Sequence, residues 1–181
     1  MTYEGVDAKL QSDHTDTDLQ KMGIKKDDKF FLYVGNAYPH KNGERLLDAF
    51  AYVLRDYPET KLVMVGKSNY FYKRLQEKAA VLKISDSIIF TGAVTDNALS
   101  SLYKNTQALI FPSLMEGFGL PGLEAMQRKC LVIASDIPVF KEIYKDAVLY
   151  FNPLDIKQLS DTMQKVLLGN TVEAQQDSSH L

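Results

Sequence analysis

Cysteine occurs once, at Cys130, which excludes an internal disulfide framework and fits a reducing compartment, with the thiol read as a buried small hydrophobe and not as a nucleophile. Excess charge of one sign is missing as well. Lys and Arg total 21 against 23 Asp and Glu, a net charge of -2, so no global field gathers nucleic acid or anionic lipid, and an anionic ligand has to be held by local geometry. No apolar run approaches the roughly 20 residues that a membrane helix needs, and the polar start TYEGVDAKLQSDHTDTD carries no signal-peptide core. The expected setting is therefore soluble and cytoplasmic, and there is no internal repeat to suggest a solenoid or array.

What is present is a chain of 181 residues, 45% of them hydrophobic, enough for one sizeable core and hence one domain. Residues 1–28 read as a polar lead-in, in which Leu19, Met22 and Ile24 suggest a short amphipathic helix before the turn-forming KKDD. Residues 29–169 form the domain, and residues 170–181 a polar, aperiodic tail. Within the domain the short apolar runs FFLYVG, KLVMVG, SIIFTG, QALIFPS, CLVIAS and AVLYF alternate with helix-period segments. Those segments lie near Gly43–Asp56, Tyr70–Leu82, Asp96–Lys104, Pro121–Arg128, Pro138–Tyr144 and Asp155–Leu168. The alternation predicts an α/β fold: a Rossmann-like three-layer α/β/α sandwich on a parallel six-stranded sheet, with ligands expected at the carboxyl ends of the strands. Glycines at Gly35, Gly66 and Gly92 close three of the runs and allow close backbone approach there.

The stretch ALIFPSLMEGFGLPGLEAM carries the most chemistry. A strand breaks at Pro112, Gly117, Gly119 and Gly122 crowd the junction, and a helix is expected to begin near Pro121, which suits a first turn because it has no N–H to leave unpaired. Such a junction directs backbone N–H groups and the positive end of a helix dipole at whatever lies above the strand edge, and a diphosphate is the natural guest. Glu124 is expected in the same first turn, where a carboxylate often does no more than complement the dipole. The spacing Glu116-x7-Glu124 around GFGLP, however, is a long ordered signature.

On that signature the chain resembles the family-four retaining glycosyltransferases of GT-B fold (glycosyltransferase group 1), and specifically their C-terminal, nucleotide-sugar-binding half. Further blocks arrive in the family's order: YEGVD, FLYVGNAYPHKN with LLDAF, KLVMVG, IIFTGAV with LSSLY, and ASDIPVFKEI. The resemblance implies a nucleotide-diphosphate sugar lying across the strand edges. Lys41 would neutralise the departing diphosphate and Glu116 would orient the transferred sugar, the two catalytic assignments. Donor binding would fall to Gly35, Asn36, Gly66, Val94, Gly117, Phe118, Gly119, Leu120 and Glu124, with Glu124 on the ribose and the GFGL amides near phosphate and sugar. Family members often carry an arginine where this chain has Asn36, which donates a hydrogen bond but no charge; Lys67 and Arg45 are the candidates to replace it. His40 reads as a solvated or capping residue without a catalytic role.

A metal is not expected. Asp16-Thr17-Asp18 spells the D-x-D triplet of metal-dependent transferases, yet a working triplet ends a buried strand, and this one lies in the polar lead-in beside Asp13 and His14. The resemblance implies hexose transfer with retention, assisted by the leaving diphosphate, in polysaccharide biosynthesis, with no cofactor beyond the sugar nucleotide itself. It also implies a separate N-terminal acceptor-binding domain as partner, through which peripheral contact with an inner membrane would arise, so that this half alone binds donor without efficient transfer. GDP-mannose is favoured by the VGN sequence, with UDP sugars a near equal. Two other readings stand beside this one: a non-catalytic nucleotide-sugar module, motivated by Asn36, and one half of a nucleotide-sugar epimerase.

Overall fold

The computed structural model describes residues 17–170. The YEGVD block, Asp16 and residues 171–181 of the polar tail lie outside them, as do the side chains of Thr17 and Asp18. Six strands, β1 (Phe30–Val34), β2 (Lys61–Val65), β3 (Ile88–Gly92), β4 (Ala108–Phe111), β5 (Val132–Ser135) and β6 (Leu149–Phe151), pair in parallel in the order β3-β2-β1-β4-β5-β6. Seven helices accompany them among the described residues: α1 (Thr17–Lys21), α2 (Gly43–Asp56), α3 (Tyr70–Val81), α4 (Asp96–Asn105), α5 (Leu120–Gln127), α6 (Pro138–Tyr144) and α7 (Ile156–Leu167). The expected α/β sandwich is the observed one, and no boundary of α2 to α7 departs from its predicted position by more than one residue, whereas α1 ends at Lys21 and leaves Met22 and Ile24 of the expected amphipathic helix outside it.

Period-two alternation decides which face each strand residue serves. Phe31 and Tyr33 point to one face and pack with Leu46, Phe50, Leu75, Ala79 and Met163 of α2, α3 and α7. Phe30 and Leu32 point to the other and pack with Leu102, Ala125, Phe140 and Tyr144 of α4, α5 and α6. With both faces covered the strands can be apolar throughout, which is why they read as continuous hydrophobic runs. The lead-in is not wholly apart from this core: Leu19 and Ile24 are buried and join the second cluster. Amphipathic pairing against α4 prevails over their polar surroundings in sequence. Cys130 is buried, its thiol pushed up to about 12 by that burial, as suits an inert packing residue.

The order places β1 and β4 side by side although they are consecutive in neither direction of the chain. After β1 the chain winds outward through β2 and β3, then returns across the sheet to β4 and winds the other way. Connections leaving β1 and β4 therefore diverge to opposite faces and open a crevice above their carboxyl ends, the topological switch point at which open α/β sheets bind ligands.

Candidate functional site

The two loops that flank the switch point contain the residues singled out from sequence. The loop after β1 runs through Gly35, Asn36 and Tyr38 into one turn of 3-10 helix, Pro39–Lys41, before α2 begins. The loop after β4 runs from Pro112 through Glu116 to Gly119, the N-cap of α5. They are stitched together across the crevice. Lys41 Nζ lies 2.5 Å from Glu116 Oε1, an ion pair whose side chains are 18% and 9% exposed. Ser113 Oγ donates to the same carboxylate oxygen at 2.7 Å, and the Leu114 N–H donates to the His40 carbonyl at 2.8 Å. A lysine and a glutamate 75 residues apart in sequence thus form one polar unit directly above β1 and β4.

Glu124 is placed differently. The left-handed Gly119 (φ 77°) starts α5 at Leu120, one residue earlier than expected, so Pro121 is the second helical residue and no acidic residue falls in the first turn. Glu124 begins the second turn. Its carboxylate accepts a hydrogen bond from the Tyr103 hydroxyl at 3.3 Å, and Arg128 donates to its backbone carbonyl at 2.7 Å. The helix mouth is also leaner in donors than a generic N-terminus, because Pro121 has no N–H and the Gly122 N–H is bonded to the Gly119 carbonyl at 3.1 Å. Gly117, Phe118 and Leu120 remain exposed at the crevice.

Tyrosines bolt these loops from beneath. The Tyr33 hydroxyl donates to the Asn36 carbonyl at 2.5 Å, Tyr72 to the Gly35 carbonyl at 2.8 Å, Tyr144 to the Gly119 carbonyl at 2.5 Å, and Tyr103 to the Pro121 carbonyl at 3.4 Å. Burial pushes all four phenols well above the usual tyrosine range, the charge of Glu116 adding to the effect at Tyr33 and Tyr144 and that of Glu124 at Tyr103. They therefore remain protonated donors. These bolts explain two glycines read from sequence as points of ligand approach. A Cβ at Gly66 would lie 2.0 Å from the Gly35 carbonyl oxygen, and one at Gly119 would lie 2.3 Å from the Tyr144 hydroxyl, so packing alone requires glycine at both.

Of the remaining residues named from sequence, Asn36 is exposed and accepts a hydrogen bond from the Tyr38 N–H at 3.4 Å, and Val94 is half-buried beyond β3. Arg45 is committed to Asn42, donating to its side-chain oxygen at 3.0 Å, while Lys67 is exposed after β2. The described residues include no group of three or more His, Cys, Asp or Glu side chains able to hold a metal ion, and no helix long and apolar enough to cross a membrane. A depression of about 800 Å³ lies between α2 and α7, lined among others by Tyr52, Arg55, Leu154 and Asp161. It holds none of the motif residues, so the switch point, with its cross-loop charges, is the better candidate.

Sequence reasoning missed Asn42, Ser113 and the tyrosine bolts. PHKN and FPS contain the first two, but nothing local distinguishes a bracing asparagine or serine from an ordinary loop residue.

A Rossmann-like sheet whose switch point joins a lysine loop to a Glu-x7-Glu loop can be compared with known proteins. The model of the family "Glycosyl transferases group 1" matches residues 14–179, and the chain belongs to that family. It is 34% identical over 142 residues to the O-antigen chain mannosyltransferase RfbU of Salmonella typhimurium, covering 78% of this chain and 39% of that protein. The chain thus spans about two fifths of the relative's length. Among solved structures it is similar to the C-terminal domain of a group 1 glycosyl transferase, LpcC from Francisella tularensis, with a TM-score of 0.75 and 25% identity over 94% of this chain and 92% of that one. It shares its fold, at a TM-score of 0.81 and 20% identity, with Anabaena HepE, solved in complex with UDP and glucose, covering 95% of this chain and 48% of that chain.

Proposed function

We propose that this chain is the donor-binding half of a retaining hexosyltransferase, holding a nucleotide-diphosphate sugar across the carboxyl ends of β1 and β4. The observation that carries the reading is the Lys41–Glu116 pair at 2.5 Å across the switch point, a cation and an acceptor held where a diphosphate and a sugar have to meet. In this reading the Lys41 ammonium turns from Glu116 to the diphosphate and stabilises the charge that develops on it as the glycosidic bond breaks, an electrostatic contribution made in a low-dielectric crevice. The amides of residues 117–120 assist. Glu116, released from Lys41, accepts hydrogen bonds from the hexose hydroxyls and orients the ring. Glu124, whose present partner is a neutral hydroxyl, accepts from the ribose. Gly35, Asn36, Gly66 and Val94 line the nucleotide path through their backbone.

No metal is assigned a part, since Lys41 and backbone dipoles supply the positive potential. Acceptor binding belongs to a further domain, a view supported by the coverage of a solved C-terminal domain from end to end and of only part of a longer mannosyltransferase. Mannose is the preferred sugar, on the strength of that mannosyltransferase relative, with GDP the nucleotide that the VGN resemblance favours; the UDP and glucose named for the HepE structure keep UDP sugars in the test. Calorimetric titration of the chain with GDP-mannose, UDP-glucose and an ADP sugar checks the reading. One nucleotide class should bind, with transfer appearing only when an acceptor-binding half is supplied; no binding of any of the three would refute it. Binding without transfer in the presence of that half would favour a non-catalytic module.

A further inference from the structure

Asn42 stands at the N-cap of α2, where an asparagine side chain ordinarily accepts a hydrogen bond from the second or third helical N–H. Asn69, Thr95 and Asp155 do this for α3, α4 and α7. Asn42 forms no such cap. Its Nδ2 instead donates to the carbonyl of Pro112 at 2.9 Å and to that of Pro153 at 2.8 Å, and its Oδ1 accepts from Arg45 Nη1 at 3.0 Å. Only 4% exposed, it adopts a left-handed backbone with φ 60°, a conformation that asparagine tolerates better than most residues. Both amide hydrogens are therefore spent on carbonyls 70 and 111 residues away.

The position of this brace relates it to the donor site. Asn42 directly follows Lys41. Pro112 directly precedes Ser113, whose hydroxyl bonds the Glu116 oxygen that pairs with Lys41. The brace thus crosses the switch point one residue away from each side of the polar unit.

We infer that Asn42 is a positioning residue for Lys41: one N–H bond ties the loop after β1 to Pro112 at the end of β4 and the other ties it to Pro153 after β6, so that the ammonium faces the crevice before any ligand arrives. The inference rests on the donor-site reading above and concerns how Lys41 is held. Binding then avoids the ordering of a mobile lysine loop, which would otherwise weaken affinity.

The test uses Asn42→Gly, which keeps the left-handed backbone without strain and deletes the brace, and Asn42→Asp, which keeps an acceptor for Arg45 and loses both donors. Each is made alone and combined with Lys41→Ala, and circular dichroism verifies folding. Titration with GDP and UDP is the first readout. The second needs no nucleotide: the rate at which an N-hydroxysuccinimide ester acylates Lys41, measured by peptide mass spectrometry relative to Lys78, which pairs with Asp48 at 2.6 Å between α3 and α2. Asn42→Gly is expected to weaken nucleotide binding about tenfold. Lys41→Ala should then cost less than about threefold in that background, against about tenfold or more in the native one, because the two residues act as a unit. The Lys41 to Lys78 acylation ratio should rise several-fold. Equal cost of Lys41→Ala in both backgrounds, or an unchanged acylation ratio, would show that Asn42 serves stability alone and overturn the inference. If the native chain binds no nucleotide, the donor-site reading fails and the acylation ratio alone decides whether Asn42 holds Lys41. If Asn42→Gly does not fold, Asn42→Asp carries the same readouts; failure of both to fold would make Asn42 a residue of the fold and not of the site.

Discussion

Glu116 and Glu124 belong to one motif, yet their surroundings differ in kind. Glu116 is bound to a cation and a hydroxyl, Lys41 and Ser113, and its side chain is 9% exposed. Glu124 has a neutral partner, the Tyr103 hydroxyl at 3.3 Å, on the second turn of α5. A ligand that reaches Glu116 has to separate an ion pair and offer each member a substitute: an anion for Lys41 and hydroxyls for Glu116. A ligand that reaches Glu124 adds to a carboxylate that still has free acceptor capacity. Under the proposed function, the first position would select for a molecule carrying phosphate and sugar together, and the second for one carrying a ribose.

The comparison can be broken at several points. Lys41→Ala has the largest expected effect, since it removes the charge-assisted contact to the diphosphate and leaves Glu116 without its cation; titration should show affinity for a sugar nucleotide lowered by about 1.5–3 kcal/mol. Glu116→Gln should divide two ligands. The sugar nucleotide is expected to lose about tenfold in affinity, whereas the plain nucleoside diphosphate should bind as well or better because no carboxylate competes for Lys41. Equal losses for both would remove the distinction drawn here. Glu124→Ala should weaken sugar nucleotide, diphosphate and monophosphate alike, by about fivefold to tenfold, and an effect confined to the sugar nucleotide would reverse the two assignments. The smallest effect is expected from Tyr144→Phe, which leaves the Gly119 carbonyl short of a donor. Loss of one such bond costs about 1 kcal/mol, seen as a fall of about 2–4 °C in Tm by calorimetry, with nucleotide affinity following only as far as the GFGL loop loosens.

The fold was almost wholly legible in sequence because each of its determinants is local. Runs such as FFLYVG and KLVMVG announce strands covered on both faces, and the helical spacing of Leu46, Leu47, Phe50 and Val53 announces the buried face of α2. That Lys41 and Glu116 lie on loops at one strand edge was legible too. Their direct pairing was not, nor the role of Asn42, because those contacts join positions 70 or more residues apart and depend on the strand order. The start of α5 was misplaced by one residue for a related reason: Gly119 adopts φ 77° and Gly119 and Gly122 both pack against Tyr144, a partner from the following helix that no local pattern names. Asn36, exposed and without charge, leaves the departure from the family's arginine as it stood.

The central claim, that the nucleotide lies above β1 and β4, is tested most directly by amide NMR during titration with GDP and UDP. Shifts concentrated at residues 35–42 and 113–124, and absent from Lys41→Ala at the same nucleotide concentration, are the predicted result. Shifts centred on Tyr52, Leu154 and Asp161, around the depression between α2 and α7, with residues 35–42 unmoved, would contradict it.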